Sequence, residues 1–355
     1  IPFQYAYSPE YILRSPMIIF GLLELALFLL FAKRLKLSGS ISAFGLFILA
    51  INTYVIFGSR LMVPQDGSIF TFFVMLFAYF YIRFLEKKDY ASKLDIFLIG
   101  LLAASTILVK LSAIFLIPPF LIFWLIYKKG IKNLFKTSLV TLFFFFPVII
   151  FNISAYYLTG YTDVPTTKIL NFIGIDANSF MGNKGLYGEI APSFIESLVS
   201  FLEMLADQWS LLITINFFFT ILIIFIFRKQ LRDRKVTVYF LLLTILSSIL
   251  FFTVNKYRAY YVEYLSLPFV LLSLICIEEL LKKNLIVKTA LILWTATYTI
   301  SSFIYTLNTH IFVISLSDTL AKKEYGRNYL YTLEEFKQHL SLGSMSFLND
   351  DGLMP

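Results

Sequence analysis

The stretch FGSRLMVPQDGSIF sets Arg60, Gln65 and Asp66 on a short connection between two apolar runs. Lys110 interrupts STILVKLSAIFLIPPF, and Lys256, Arg258 and Glu263 share NKYRAYYVEYLSLPF. Arg14 precedes another apolar run, and Glu24 stands in the middle of that run. An arginine binds phosphate or diphosphate through two parallel hydrogen bonds, whereas a lysine binds it as a point charge. A carboxylate beside such cations can act as a general base or hold a divalent ion such as Mg or Mn. The ordinary reading of Arg14, Lys256 and Arg258 is snorkelling to lipid headgroups. For Glu24 it is a hydrogen bond between helices. Lys110 has less excuse, because a tight hairpin between helices needs no cation.

These residues lie in a chain of 355 residues that is 59% hydrophobic and 15% charged, with 40 Phe and 22 Tyr. Apolar runs of about 17 to 21 residues, enough to cross a hydrocarbon layer, recur along most of it. The composition therefore points to an all-α polytopic membrane protein, and in such a protein an ionisable group at lipid depth is a functional candidate. The single cysteine, Cys276, sits in an apolar run, which excludes a disulfide framework and fits a small buried hydrophobe.

Ten spans are expected, over 16–32, 39–58, 68–84, 95–109, 112–127, 137–157, 209–227, 236–254, 262–280 and 286–306. Alternate connections then carry 19 of the 30 basic residues, within 33–38, 83–93, 128–136, 228–235 and 282–288. Short basic loops stay in the cytoplasm, so the other face is expected outside. The net charge of +8 is thus spread over five loops and is no nucleic-acid stripe.

The outer face would hold 158–208 and the tail 307–355. Within the former, SFIESLVSFLEMLADQWS has the spacing of an amphipathic helix lying on the membrane or over a cavity. The expected organisation is 1–157 as an N-terminal transmembrane part, 158–208 as an external loop with that helix, 209–306 as a C-terminal transmembrane part, and 307–355 as an external tail. No internal repeat, Gly-rich phosphate loop or His/Cys metal cluster is evident, and His310 and His339 read as solvated side chains. Cations and a few carboxylates near one membrane boundary suit a lipid-linked phosphate. Both an enzyme that uses such a lipid and a flippase that moves it fit.

Four stretches resemble the dolichyl-phosphate-mannose-protein mannosyltransferase family and its relatives that transfer aminoarabinose to lipid A, all GT-C integral-membrane glycosyltransferases. They are RSPMIIFGLLELALFLLFAKRL, FGSRLMVPQDGSIFTFFVMLFAYFYIRFLEKK, LLAASTILVKLSAIFLIPPFLIFWLIYKK and KYRAYYVEYLSLPFVLLSLICIEELL. The resemblance covers residues 10–130 well and 236–282 more loosely, with the four motifs in family order.

The resemblance implies a GT-C-like bundle that transfers a sugar from a polyprenyl-phosphate donor, with inversion, outside the cytoplasm. The acceptor would be a protein, a lipid or a glycan, and no nucleic acid would be involved. It implies that Arg60 and Gln65 orient the loop, that Lys110, Arg258 and Lys256 hold the donor phosphate, and that Asp66 is a catalytic or metal-binding acid. The family's acid, five residues after the arginine, falls here on Gln65, with Asp66 one place later. Its first external loop, with an acidic pair, is expected upstream of Arg14, where only Glu10 is present; that loop and the first span are expected before Ile1. A flippase or transporter of polyprenyl-linked glycans, or a glycan polymerase, is the alternative.

Overall fold

A computed structural model describes residues 10–50, 68–87, 92–162, 178–179, 195–196, 198–199, 211–255, 265–282 and 285–306. Ten α-helices occur among them. They are α1 (Glu10–Arg34), α2 (Gly39–Ala50), α3 (Ser68–Glu86), α4 (Lys93–Val109), α5 (Ile117–Ile126), α6 (Ile131–Thr159), α7 (Leu211–Ile226), α8 (Lys235–Asn255), α9 (Ser266–Leu281) and α10 (Leu285–Thr306). Three described segments, Ser68–Glu86, Ile131–Thr159 and Arg232–Phe251, are long and apolar enough to cross a membrane.

Two helices organise the packing. Helix α3 lies against α1, α4 and α8, while α9 lies against α1, α2, α7, α8 and α10. The face of α3 is filled by aromatic side chains. Tyr81 stacks on Phe77 and Trp124, and its hydroxyl donates to Phe120 O at 2.6 Å. Helices α4 and α6 meet closely because Gly100 has no side chain; a Cβ there would stand 2.7 Å from Val140 Cβ and 2.9 Å from Thr137 O.

The five basic segments meet at one end of the bundle, as the sequence led us to expect. Arg34 pairs with Glu86, and Lys87 pairs with Asp95 at 2.6 Å. Lys129 donates to Lys87 O at 2.7 Å and lies over the Phe84 ring. Arg234 donates to Lys36 O at 3.4 Å and faces Glu278 and Glu279. Glu279 in turn holds Lys282 at 2.6 Å. The opposite end, called the far end below, therefore holds Ser68, Lys110, Asn255 and Ser266.

Two expectations are corrected. The span expected over 112–127 is not one helix: Leu111–Leu116 forms a 3-10 turn, and α5 follows it. The cause is the pair Pro118–Pro119, which lack N–H groups and so cannot continue the ladder backward. Helix α6 begins at Ile131 rather than 137, taking Lys132 and Lys136 into its first turns. Long lysine stems can run along a helix to the headgroups, so a span need not end where its charges begin. The expected all-α class holds among the described residues, beside one parallel pair of two-residue strands, Tyr161–Thr162 and Asn178–Ser179. Of the amphipathic segment only residues 195–196 and 198–199 are described, and they are helical.

Candidate functional site

Lys110 occupies the break between α4 and the 3-10 turn. Its backbone is extended, with φ −154° and ψ 122°. Its N–H donates to Thr106 O at 3.2 Å, and its carbonyl accepts from Ala113 N–H at 3.0 Å. The residue therefore ends one helix and starts the next turn. Its ammonium group lies 5.7 Å from the centre of the Phe70 ring, in the first turn of α3. A cation over an aromatic face is attracted by the ring quadrupole. The same charge also complements the negative end of the α4 dipole.

The break is fastened from several sides. Without a proline N–H four residues on, Phe115 O needs another donor, and Ser247 Oγ of α8 supplies it at 2.6 Å. Phe115 meets Phe70 edge to face at 6.5 Å. Thr106 Oγ1 donates to Leu102 O at 2.7 Å and to Phe73 O at 3.2 Å, tying α4 to α3. Non-helical backbone at membrane depth is tolerated where it is buried in protein in this way.

On the other side of the same α3 turn, Glu24 of α1 faces Thr71 and Ser68. The carboxyl is buried, and neither its Oε2 nor Ser68 Oγ has a hydrogen-bond partner among the described residues. Helices α1 and α4 thus bring Glu24 and Lys110 to the two sides of the first turn of α3, at the far end. Of the site residues expected from sequence, Lys110 alone is described in full. Arg60, Gln65, Asp66, Lys256 and Arg258 lie outside the described residues, as does the side chain of Arg14.

Sequence reasoning missed Phe70, Phe115 and Ser247 as parts of this arrangement. The prolines in LIPPF were the available signal for the break, and the serine pair in TILSSILFF was the signal for a donor nearby. Among the described residues no three His, Cys, Asp or Glu side chains gather, so they offer no metal cage.

A bundle of apolar helices, with a charged rim at one end and a half-buried lysine at a helix break at the other, belongs to the helical membrane proteins. Residues 7–157 match the dolichyl-phosphate-mannose-protein mannosyltransferase family, the family that the motifs resemble. The matched region ends near the end of α6 and includes Glu24, Arg60, Asp66 and Lys110. It supports a membrane glycosyltransferase as the general class. No curated protein and no solved structure matches the chain.

Proposed function

We propose that this protein transfers a sugar from a polyprenyl-phosphate donor to a protein, lipid or glycan acceptor on the extracytoplasmic face, inverting the anomeric centre. The observation that carries the reading is Lys110, half-buried at a helix break at the far end, within the matched residues. A lysine there meets the donor phosphate as a point charge. Arg258 and Lys256 are proposed as further phosphate contacts, Arg60 and Gln65 as residues that orient the loop, and Asp66 as an acid of the site. A divalent ion would rest on Asp66 and the donor phosphate, the arrangement Mg uses when protein ligands are few.

In the full-length enzyme, Lys110→Ala should raise the donor KM about ten- to a hundredfold, the loss of one charge-assisted contact of about 1.5 to 3 kcal/mol. Expression and the unfolding midpoint in detergent should be unchanged. Unaltered transfer kinetics would leave the cation with no role beyond the α4 dipole and defeat the reading. The helix break favours one rival, a flippase for lipid-linked glycans, since broken helices form transporter sites. Transfer by detergent-purified enzyme, where no membrane remains to be crossed, separates the two.

A further inference from the structure

At the basic end of the bundle, a groove with a volume of about 360 Å³ runs between α5 and α8. Helix α8 supplies Lys235, Tyr239, Leu242, Leu243 and Leu246. This helical spacing puts all five on one face of α8, over about 16 Å of its axis. Helix α5 and its cap supply Phe123, Ile126 and Tyr127, again on one face. Helix α5 ends at the basic end and α8 begins there. The polar residues of the groove, Tyr127, Lys235 and Tyr239, therefore share its basic end, and apolar side chains line the rest.

The walls are packed, while the polar groups are uncommitted. Tyr127 stacks on Phe123 at 6.1 Å, and Phe123 meets Phe240 edge to face at 5.4 Å. The Tyr127 and Tyr239 hydroxyls and the exposed Lys235 ammonium make no hydrogen bond or ion pair among the described residues. The stretch RKQLRDRK, which ends at Lys235, carries five cations against Asp233 alone. One of those cations, Arg234, is taken by Glu278 and Glu279. Glu86, which acts on Tyr127, is held by Arg34. The mouth of the groove is therefore net positive. Along its edge Ile126 and Leu246 are 63% and 41% exposed, so the groove opens sideways onto the surface that meets lipid in a membrane.

We propose that this groove binds an anionic phospholipid of the leaflet at the basic end, with its phosphate at Lys235 and one acyl chain along Leu242, Leu243 and Leu246. A phosphate diester offers oxygens both to the ammonium and to the two phenols. Basic pockets between membrane helices on the cytoplasmic side take headgroups of this kind, and the positive-inside rule assigns the basic end to that side. Snorkelling accounts for a lysine at this depth but requires no groove beside it. A zwitterionic lipid has the same chains, but its own cation competes with Lys235 for the phosphate. Lys110 and the far end take no part, so the proposal goes beyond the transferase reading and does not rest on it.

The test uses full-length protein in phosphatidylcholine nanodiscs doped with phosphatidylglycerol that carries a diazirine midway along one acyl chain. Photolabelling should fall on peptides containing residues 123–127 and 239–246. The same diazirine chain on phosphatidylcholine should label these peptides several-fold less. Lys235→Ala should cut the phosphatidylglycerol yield about fivefold, the effect of one lysine at an anionic surface, and leave the phosphatidylcholine yield unchanged. Leu246→Trp should fill the groove and cut both yields. Both positions are exposed, so each variant should stay monodisperse with an unaltered unfolding midpoint. Equal labelling by the two lipids, or a yield indifferent to Lys235→Ala, overturns the proposal, since the groove then holds any bilayer chain. Labelling on peptides of other helices does so too. If unlabelled polyprenyl phosphate displaces the probe at lower concentration than phosphatidylglycerol does, the groove is no phospholipid site and the assignment falls.

Discussion

Lys110 illustrates how far single residues were legible. Its charge at lipid depth was visible in the sequence, and the structure places it at a helix break over Phe70. What surrounds it was not visible, because Phe70 and Ser247 come from distant helices, and packing across 132 residues of chain has no local signature. Glu24 was legible as an unusual charge, but its neighbours Ser68 and Thr71 were not, for the same reason. Gln65 and Asp66 are separated by one residue of register, and charge decides between them. Asp66 can pair with Arg60 or approach a cation, whereas Gln65 is neutral and offers one carbonyl. Asp66→Asn keeps size and hydrogen bonding and removes the charge, so we expect it to lower kcat/KM at least about tenfold, or about 1.4 kcal/mol. Gln65→Glu should be tolerated. A silent Asp66→Asn beside a dead Gln65→Ala would reverse the assignment and make Asp66 an ordinary turn residue.

At the scale of elements, hydrophobic length found the helices and missed their ends. The apolar run through LIPPF reads as one span because hydropathy does not register a missing N–H, yet two prolines split it into a 3-10 turn and α5. The early start of α6 has the opposite cause: two lysines look like a loop but ride on a helix. The contact of α4 with α6 depends on Gly100, which the sequence shows only as an ordinary helical glycine. In Gly100→Ala the new methyl group would meet Val140 and the Thr137 carbonyl at under 3 Å, so one helix must shift. Overpacking of this kind costs about 1 to 3 kcal/mol, and we expect a lower unfolding midpoint in detergent for Gly100→Ala. The usual gain in helix propensity from Gly to Ala runs the other way, by about 1 kcal/mol. A midpoint equal to or above that of the unaltered protein would therefore show that α4 and α6 stand farther apart than described.

For the whole molecule, charge carried more information than hydropathy. Five basic segments scattered from residue 33 to 288 were assigned to one face by their sign alone, and Arg34, Lys87, Lys129, Arg234 and Lys282 hold them together at one end. That end is partly dehydrated. Burial, the largest influence, pushes the Lys129 ammonium below the usual lysine range, with Lys87 acting in the same sense and Asp95 against it. Which side of the membrane this end faces follows from the positive-inside rule and is open to direct test. Cys276 is the only cysteine and is buried, so a Cys276→Ser background carries no reactive thiol of its own. On that background, Arg232→Cys should react with a membrane-impermeant maleimide only after cells are permeabilised. Lys184→Cys, in the long segment 158–208, should react in intact cells. The two positions are separated by the single helix α7 among the described elements, so an odd number of crossings must lie between them if the assignment holds. Labelling of both from the same side would mean an even number. The far end with Lys110 would then lose its extracytoplasmic placement, and with it the side on which sugar transfer is proposed to occur.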